Sequence, residues 1–249
     1  MSIKDDVSKL YRIPNKLDAI SRILFIVSVV TSIVALSNNH KITAITTIVQ
    51  IVVAVFYCLI NVINDGYFWY EAEKARRINS IENGLGARLS ELETEAYYNN
   101  PSKESLEKYA LNLLESNFFS KEIAGKMIYK SFIKSAIAVA LLVVSCRFLE
   151  NTELLLIIAQ TALSSYVLID TVMLVLYKLR MDDLFKDGYA LLITPIIKSK
   201  NKNALLLSYS VEYEIIKAYY KIRLDERVFF KNNDILAKQW QQILAHRNK

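Results

Sequence analysis

Glycine and proline are scarce in this chain of 249 residues, which contains only five glycines and three prolines. The tight turns of sheet proteins depend on these residues, because glycine supplies positive φ angles and proline fixes φ. Their scarcity argues against a loop-rich β protein. With 53% of its residues apolar, the sequence instead predicts an all-α protein built from long, uninterrupted helices.

Cysteine and histidine are scarcer still, with two residues of each. Two cysteines make no disulfide framework, and they form no metal-ligand cluster with two distant histidines. The sequence contains no Ser-His-Asp set, no His-Glu-x-x-His motif and no Walker loop, and the "GLG" segment Gly84–Gly86 lacks the third glycine of a dinucleotide fingerprint. We therefore expect no catalytic residues, no metal and no cofactor, which argues against an enzyme.

Apolar residues are concentrated in four runs of 17 to 24 residues. A helix needs roughly 20 apolar residues to cross the hydrocarbon core of a bilayer. The runs therefore predict an all-α membrane protein with four transmembrane helices in two hairpins. The four runs are Ile20–Leu36, Ile42–Ile63, Phe132–Leu149 and Leu154–Tyr177.

Basic residues indicate the orientation of these helices. Of the 31 Lys and Arg, five lie in residues 1–22, nine in 64–131 and fourteen in 178–249, whereas the short loops between paired spans have almost none. By the positive-inside rule, we expect both termini and the long insert to be cytoplasmic. The predicted segments are a cytoplasmic N-terminus (1–19), a membrane hairpin (20–63), a helical insert (64–131), a second hairpin (132–177) and a basic helical tail (178–249).

A polar seam runs along the second predicted span. Lipid offers such side chains no hydrogen-bond partner, so the seam must face protein or water. Packing against another helix is one interpretation, since small residues allow close approach. The other is a pore lining, which needs a symmetric homo-oligomer, with a tetramer favoured, because one copy has too few helices to enclose a water path. The seam consists of Thr43, Thr47, Gln50, Ala54, Tyr57, Asn61 and Asn64, and all of these except Ala54 are pore-lining candidates.

One further pore-lining candidate, Asp170, lies in the cytoplasmic third of the fourth run. An intramembrane carboxylate costs roughly 2.5–3.5 kcal/mol or more unless it faces water or a partner. It is expected either to attract cations in or beside a pore, or to bond to Asn61 or Lys134 on a neighbouring helix.

The cytoplasmic segments show helical periodicity. Apolar residues of the insert recur at threes and fours from Trp69 to Leu92, which predicts that the second span continues into a cytoplasmic helix. Asn100 is the expected cap of the next helix, with Pro101 at its first position. In the tail, one stripe predicts a buried core face, with base stacking as the alternative; its residues are Leu206, Tyr209, Tyr213, Ile216, Tyr220 and Leu224.

Part of the insert resembles a known family. The residues concerned are Arg76-Arg77, Asn83-Gly84-Leu85-Gly86, Leu89-Ser90 and Tyr97-Tyr98-Asn99-Asn100, and with the two-plus-two span layout they resemble bacterial four-transmembrane effectors of the SMODS-associated type. The family pattern has glycine where this chain has Ala96. The resemblance implies an anti-phage membrane effector that depolarises the inner membrane, controlled by the product of a partner nucleotidyltransferase.

Within that class the chain is similar to the channel of the Hailong-type system, which implies a single-stranded DNA oligomer that holds the pore shut. A nucleotide or cyclic oligonucleotide that opens it is the alternative. A non-conducting membrane scaffold that recruits a cytoplasmic partner is a competing class of function.

An anionic ligand is expected to bind the cytoplasmic segments, because guanidinium and ammonium groups bind phosphate. The tail carries the net charge of +6, which equally predicts attraction to anionic membrane lipid. Ion pairing is the alternative for the arginine pair. The candidate contacts are Arg76, Arg77, Arg88, Lys198, Lys200, Lys202, Lys217 and Lys221.

Gly66 lies between the seam and the arginine pair, in "NDGYFW". Glycine weakens a helix and eases bending, so Gly66 is a candidate hinge between ligand site and pore. The alternative is that it relieves crowding beside the interfacial aromatic residues Tyr67, Phe68 and Trp69.

Overall fold

The computed structural model describes residues 5–35, 39–92, 94, 98, 100, 102–148, 154–194 and 201–247, with side chains of 145–148 and 154–164 excepted. This described part is all-helical; its one β contact is an isolated bridge between Asp5 and Thr94. The helices are α1 (Asp6–Leu10), α2 (Arg12–Val34), α3 (His40–Ile63), a π-helical turn (Asn64–Phe68), α4 (Trp69–Leu85), α5 (Leu106–Phe148), α6 (Leu154–Leu192), α7 (Lys202–Tyr220) and α8 (Glu226–Arg247).

Within the described residues, three helical stretches are long and apolar enough to cross a membrane, namely Asp6–Val34, His40–Leu85 and Leu106–Val144. They contain the second predicted span completely and the first and third apart from their last residues. The fourth predicted span lies in α6, but the side chains of residues 154–164 are outside the described part, so this span stays a prediction.

The chain forms two compact units. The first, which we call the hairpin unit, consists of Ser8–Ala72 and Lys130–Thr171. The second, the core unit, consists of Met1–Val7, Glu73–Tyr129 and Val172–Lys249. The insert and the tail, which are separate in the sequence, thus belong to one unit.

The hairpin unit exposes many large apolar side chains and buries several polar ones. Side chains such as Ile23, Ile45 and Val62 are each at least 60% exposed, whereas Ser28 and Gln50 are buried. This is the inverse of a water-soluble bundle and is typical of helices that lie in lipid, where apolar side chains face outward and polar groups pair with one another.

The core unit has an ordinary hydrophobic core formed by α4 to α8. Trp240 of α8 is 1% exposed and stacks on Phe118 of α5, with ring centroids 5.9 Å apart. Tyr177 and Met181 of α6 are fully buried in the same cluster. Each such side chain stabilises the fold by about 1.5–3 kcal/mol relative to its exposed state. The predicted stripe on α7 is confirmed as a core face at Leu206, Tyr209, Tyr213 and Ile216.

Two predicted helix boundaries in the insert are wrong. Helix α4 ends at Leu85, because Gly86 takes a left-handed φ of 72° and donates its N–H to the Glu82 carbonyl, closing the last turn. Helix α5 begins at Leu106 instead of residue 101. Ser105 caps it, since its hydroxyl accepts from the Lys108 N–H at 3.1 Å.

Candidate functional site

The polar seam of α3 faces α2 within the hairpin unit. Gln50 is fully buried, and its amide nitrogen donates to the Ser28 hydroxyl at 2.7 Å. Its amide oxygen accepts from the Thr31 hydroxyl at 2.5 Å. Near the start of α3, the Thr43 hydroxyl donates to the Ala35 carbonyl at 3.3 Å. These contacts show helix packing along this part of the seam.

Three further seam residues donate hydrogen bonds within the hairpin unit, although the Asn64 amide oxygen is buried without a partner among the described residues. The Thr47 hydroxyl donates to the Thr43 carbonyl at 2.8 Å, and the Asn61 amide donates to the Tyr57 carbonyl at 2.7 Å. The Asn64 amide donates to the Pro14 carbonyl at 3.0 Å and to the Asp18 carboxylate at 3.1 Å. In the single chain the seam is therefore an interhelical surface, and a pore lining along its whole length stays a prediction.

A charged cluster lies where α3, α5 and α6 meet in the hairpin unit. The Lys134 ammonium donates to the Tyr57 hydroxyl at 3.4 Å and lies 4.9 Å from the centre of the Phe25 ring. Tyr57 packs edge-on against Tyr166, with ring centroids 5.5 Å apart. The Asp170 carboxylate interacts electrostatically with Lys134. A cation held over aromatic rings is stabilised by their negative faces.

Asp170 differs from the seam because it is exposed. Its neighbours on α6, Leu168 and Ile169, are 40% and 58% exposed. Of the two expected interhelical partners, Lys134 interacts electrostatically with Asp170, whereas the Asn61 amide nitrogen donates to the Tyr57 carbonyl of its own helix.

Buried hydroxyl groups connect α5 to α6 beside this cluster. The Thr171 hydroxyl lies 2.7 Å from that of Ser135 and 2.6 Å from that of Ser131. This serine-threonine group fixes the spacing of the two helices that carry Lys134 and Asp170.

The predicted hinge coincides with a change of helix type. Gly66 is the central residue of the π-helical turn between α3 and α4. A methyl group placed on Gly66 would meet no side chain within 4 Å apart from those of its chain neighbours. Crowding by the Phe68 and Trp69 side chains therefore gives no reason for glycine here, and crowding by the adjacent Tyr67 stays the alternative. Single π-helical turns inside α-helices are frequent at functional sites.

Of the six predicted ligand contacts that the structure describes, four lie near carboxylates of the core unit. Arg77 forms a short ion pair with Glu214 and lies 3.7 Å from Glu73, which is also 3.9 Å from Lys217. This network connects α4 to α7. Burial raises the pKa of Glu214, and the Arg77 guanidinium opposes that shift.

A second ion-pair group connects the ends of three helices. Glu107 of α5 accepts from Lys202 of α7 at 2.6 Å and from Arg247 of α8 at 2.5 Å. The hydrogen bond from Lys202 lowers the pKa of Glu107. Arg76 is 3.8 Å from Asp5. Each of these bases already has a carboxylate near it, so an anionic ligand would have to compete for it.

Two candidates for ligand contact, Arg88 and Lys221, are exposed. Lys221 follows the last turn of α7 with a left-handed φ of 50°. The remaining two, Lys198 and Lys200, lie outside the described residues.

The segment that resembles the effector family has a local structural role in this chain. Gly84 lets α4 approach α5, because a Cβ there would lie 2.6 Å from the Tyr109 Cα. The Asn112 amide bridges the motif, donating to Asn83 at 2.8 Å and accepting from Asn100 at 3.1 Å. Tyr97 and Asn99 lie outside the described residues.

Sequence reasoning missed one buried acid. Glu115 of α5 is 8% exposed, and burial raises its pKa to about 7, while the neighbouring Trp240 indole opposes part of that shift. Its only signal in the sequence is an acid inside the apolar run "ALNLLESNFF".

Among the described residues, no group of three or more His, Cys, Asp and Glu could hold a metal ion.

Comparison of the chain with protein-family models, curated proteins and solved structures finds no match.

Proposed function

We propose that this protein is an ion-conducting inner-membrane effector whose path passes Asp170 in a homo-oligomer. The observation that carries the proposal is an exposed carboxylate flanked on α6 by the exposed apolar residues Leu168 and Ile169. Lipid cannot solvate a carboxylate, so this surface must meet water or another copy of the chain. Water and other copies of the chain are both present where several copies surround a water-filled path.

In this account the path is lined by α6 and the adjoining part of α5 instead of by the whole α3 seam. Gln50 and Asn64 are engaged with α2 and serve to hold α3 in place. Lys134 contacts Tyr57 and interacts electrostatically with Asp170, and it reduces the net charge that a passing ion meets. A carboxylate near the path favours cations over anions.

Control by a ligand is the second part of the proposal. It rests on the resemblance to four-transmembrane defence effectors and on the exposed bases Arg88 and Lys221. A nucleotide or an oligonucleotide from a partner nucleotidyltransferase would bind the core unit, with both termini and the core unit in the cytoplasm. Binding would compete with the carboxylates now paired with Arg77 and Lys202.

Proteoliposomes test the proposal directly. Vesicles that contain the purified protein and a potassium gradient should exchange internal potassium for external sodium without added valinomycin, and Asp170→Asn should slow this flux by at least tenfold. The matched control is Asp183→Asn, an exposed carboxylate of the core unit that pairs with Lys186 at 2.9 Å. Equal flux in all three proteins would remove Asp170 from the path.

A non-conducting scaffold is the second candidate, and it is favoured by the packing of the α3 seam against α2 within one chain. It predicts no flux with or without ligand, together with capture of a cytoplasmic partner by the core unit. Flux that requires Asp170 excludes it.

A further inference from the structure

One side of α2 changes from basic to apolar along the helix. Residues three, four or seven positions apart share a side of a helix, because each residue turns it by about 100°. The buried residues Ser21 and Ser28 share one side of α2. The exposed residues on the opposite side, which we call the outer stripe of α2, are Arg12, Lys16, Ile20, Ile23 and Val30. The stripe thus begins with two bases and continues with apolar side chains.

The two bases have no anionic partner within the described part of the chain. Arg12 and Lys16 are both exposed, and neither forms an ion pair with a described carboxylate. Asp18, the one acid of α2, accepts instead from the Asn64 amide at 3.1 Å. Like charges one helical turn apart repel each other. A phosphate group between Arg12 and Lys16 would relieve this repulsion and accept hydrogen bonds from both side chains.

The same level of the hairpin unit carries exposed tyrosines. The Tyr11 ring packs edge-on against that of Trp69, with centroids 5.2 Å apart, so the start of α2 lies beside the start of α4. Tyr67 and Tyr70, next to Trp69 in the sequence, are 63% and 54% exposed. Tyrosine and tryptophan are enriched where a membrane helix passes the lipid headgroups. The two bases of the stripe therefore lie at the level expected for headgroups, with its apolar part in the hydrocarbon.

We propose that Arg12 and Lys16 bind the phosphate group of an anionic phospholipid whose acyl chains lie along the apolar part of the outer stripe. Ile23 is seven residues from Lys16, about 10 Å further along α2, and so within reach of an acyl chain from that headgroup. Anionic lipids of the cytoplasmic leaflet attract bases beside a span, and long Lys and Arg side chains extend to their headgroups. The lipid site is independent of the proposed ion path and of its soluble ligand.

A lipid fits the outer stripe better than a soluble phosphate or a second copy does. A nucleotide could bind Arg12 and Lys16 but would leave Ile20 and Ile23 uncovered. Copies in one membrane have the same orientation, so two identical stripes that met across a two-fold axis would lie parallel. Arg12 would then face the partner's Arg12, and the added repulsion would oppose the contact.

Native mass spectrometry of the full-length protein in detergent tests the site. Phosphatidylglycerol and phosphatidylcholine with the same acyl chains are titrated separately, since only phosphatidylglycerol carries a net charge. We expect the parent to bind the first phosphatidylglycerol about tenfold more tightly than phosphatidylcholine, because each base near an anionic headgroup strengthens binding several-fold. The variant Arg12→Gln/Lys16→Gln should lose that preference and keep its affinity for phosphatidylcholine. The matched control, Arg227→Gln/Lys231→Gln, removes two exposed bases at the same spacing from α8 and should match the parent.

Three outcomes overturn the proposal. Equal affinities of the parent for the two lipids exclude an anionic headgroup, and this comparison stands even where a variant fails to fold. An unchanged preference in Arg12→Gln/Lys16→Gln places the lipid elsewhere on the protein. Binding of glycerol phosphate, which lacks acyl chains, as tightly as phosphatidylglycerol would show a site for a soluble phosphate. None of these measurements involves ion flux, so the lipid site and the ion path can fail separately.

Discussion

The ammonium of Lys134 lies 3.4 Å from the hydroxyl of Tyr57, so a lysine in the third apolar run is held by an aromatic residue of the second. Phe25 of α2 covers the same ammonium at 4.9 Å. Contacts from three helices thus converge on one charge in the hairpin unit, with Asp170 as its electrostatic partner.

Removing the charge of Lys134 or of Asp170 alone should destabilise the protein more than removing both charges together. Lys134→Met leaves the Asp170 carboxylate without its cation, and Asp170→Asn leaves the ammonium without its anion. We expect the double variant to be more stable than the sum of the single effects predicts, with a coupling of about 0.5–3 kcal/mol. Thermal unfolding of the four proteins in one detergent measures the coupling, and strictly additive effects would show that the two groups do not interact.

Gln50→Leu tests the packing of the α3 seam. The substitution removes the hydrogen bonds to Ser28 and Thr31, and such bonds between membrane helices contribute about 0.6 kcal/mol on average, with a maximum near 1.7. We expect a loss of stability of this size and little change in ion flux. Ile48→Leu, at a position 64% exposed, is the control and should leave the unfolding temperature unchanged. Loss of flux at full stability would instead make Gln50 a pore residue.

Gly66→Ala tests the π-helical turn as a hinge. Alanine fits without a clash and favours regular helix by up to about 1 kcal/mol relative to glycine. Straightening the turn should change the ratio of open to closed channels several-fold while the protein stays folded. Single-channel recordings give the open probability, and Gly125→Ala, in a regular part of α5, serves as the comparison. An unchanged open probability at every ligand concentration would exclude a hinge at Gly66.

Glu115 should make the stability of the core unit depend on pH. Its pKa is raised from 4.5 to about 7, so the folded state binds more protons than the unfolded state between these values. The contribution of Glu115 to the free energy of unfolding is therefore greatest below about pH 4.5, and it falls as pH rises towards 7. Glu115→Gln should remove that fall and be the more stable protein at pH 8. Denaturation curves at pH 5 and pH 8 measure it; an identical pH dependence in both proteins would contradict a buried, protonated Glu115.

The helical class and the apolar helices could be predicted because they depend on composition and run length. The core face of α7 could also be predicted, since its period of three and four residues is visible in the sequence. The end of α4 was missed because Leu89 and Leu92 continue the pattern beyond Gly86, and periodicity alone does not reveal a left-handed residue.

The candidate site was less predictable because it depends on pairing between distant segments. Arg77 and Glu214 are 137 positions apart, and nothing local in either segment indicates that they form an ion pair. Likewise the polar seam was visible, but whether Gln50 meets water or Ser28 depends on how α2 packs against α3. The pattern identified the residues that avoid lipid without identifying what they face.

The reversal potential of the purified protein in a planar bilayer under a potassium chloride gradient tests most directly whether ions pass Asp170. We predict a cation-selective current in the parent protein. In Asp170→Asn, either the current or most of its cation selectivity should be lost. Asp183→Asn should match the parent. A silent bilayer under all ligand conditions, or a current whose selectivity is the same with and without the Asp170 carboxylate, would contradict an ion path past this residue.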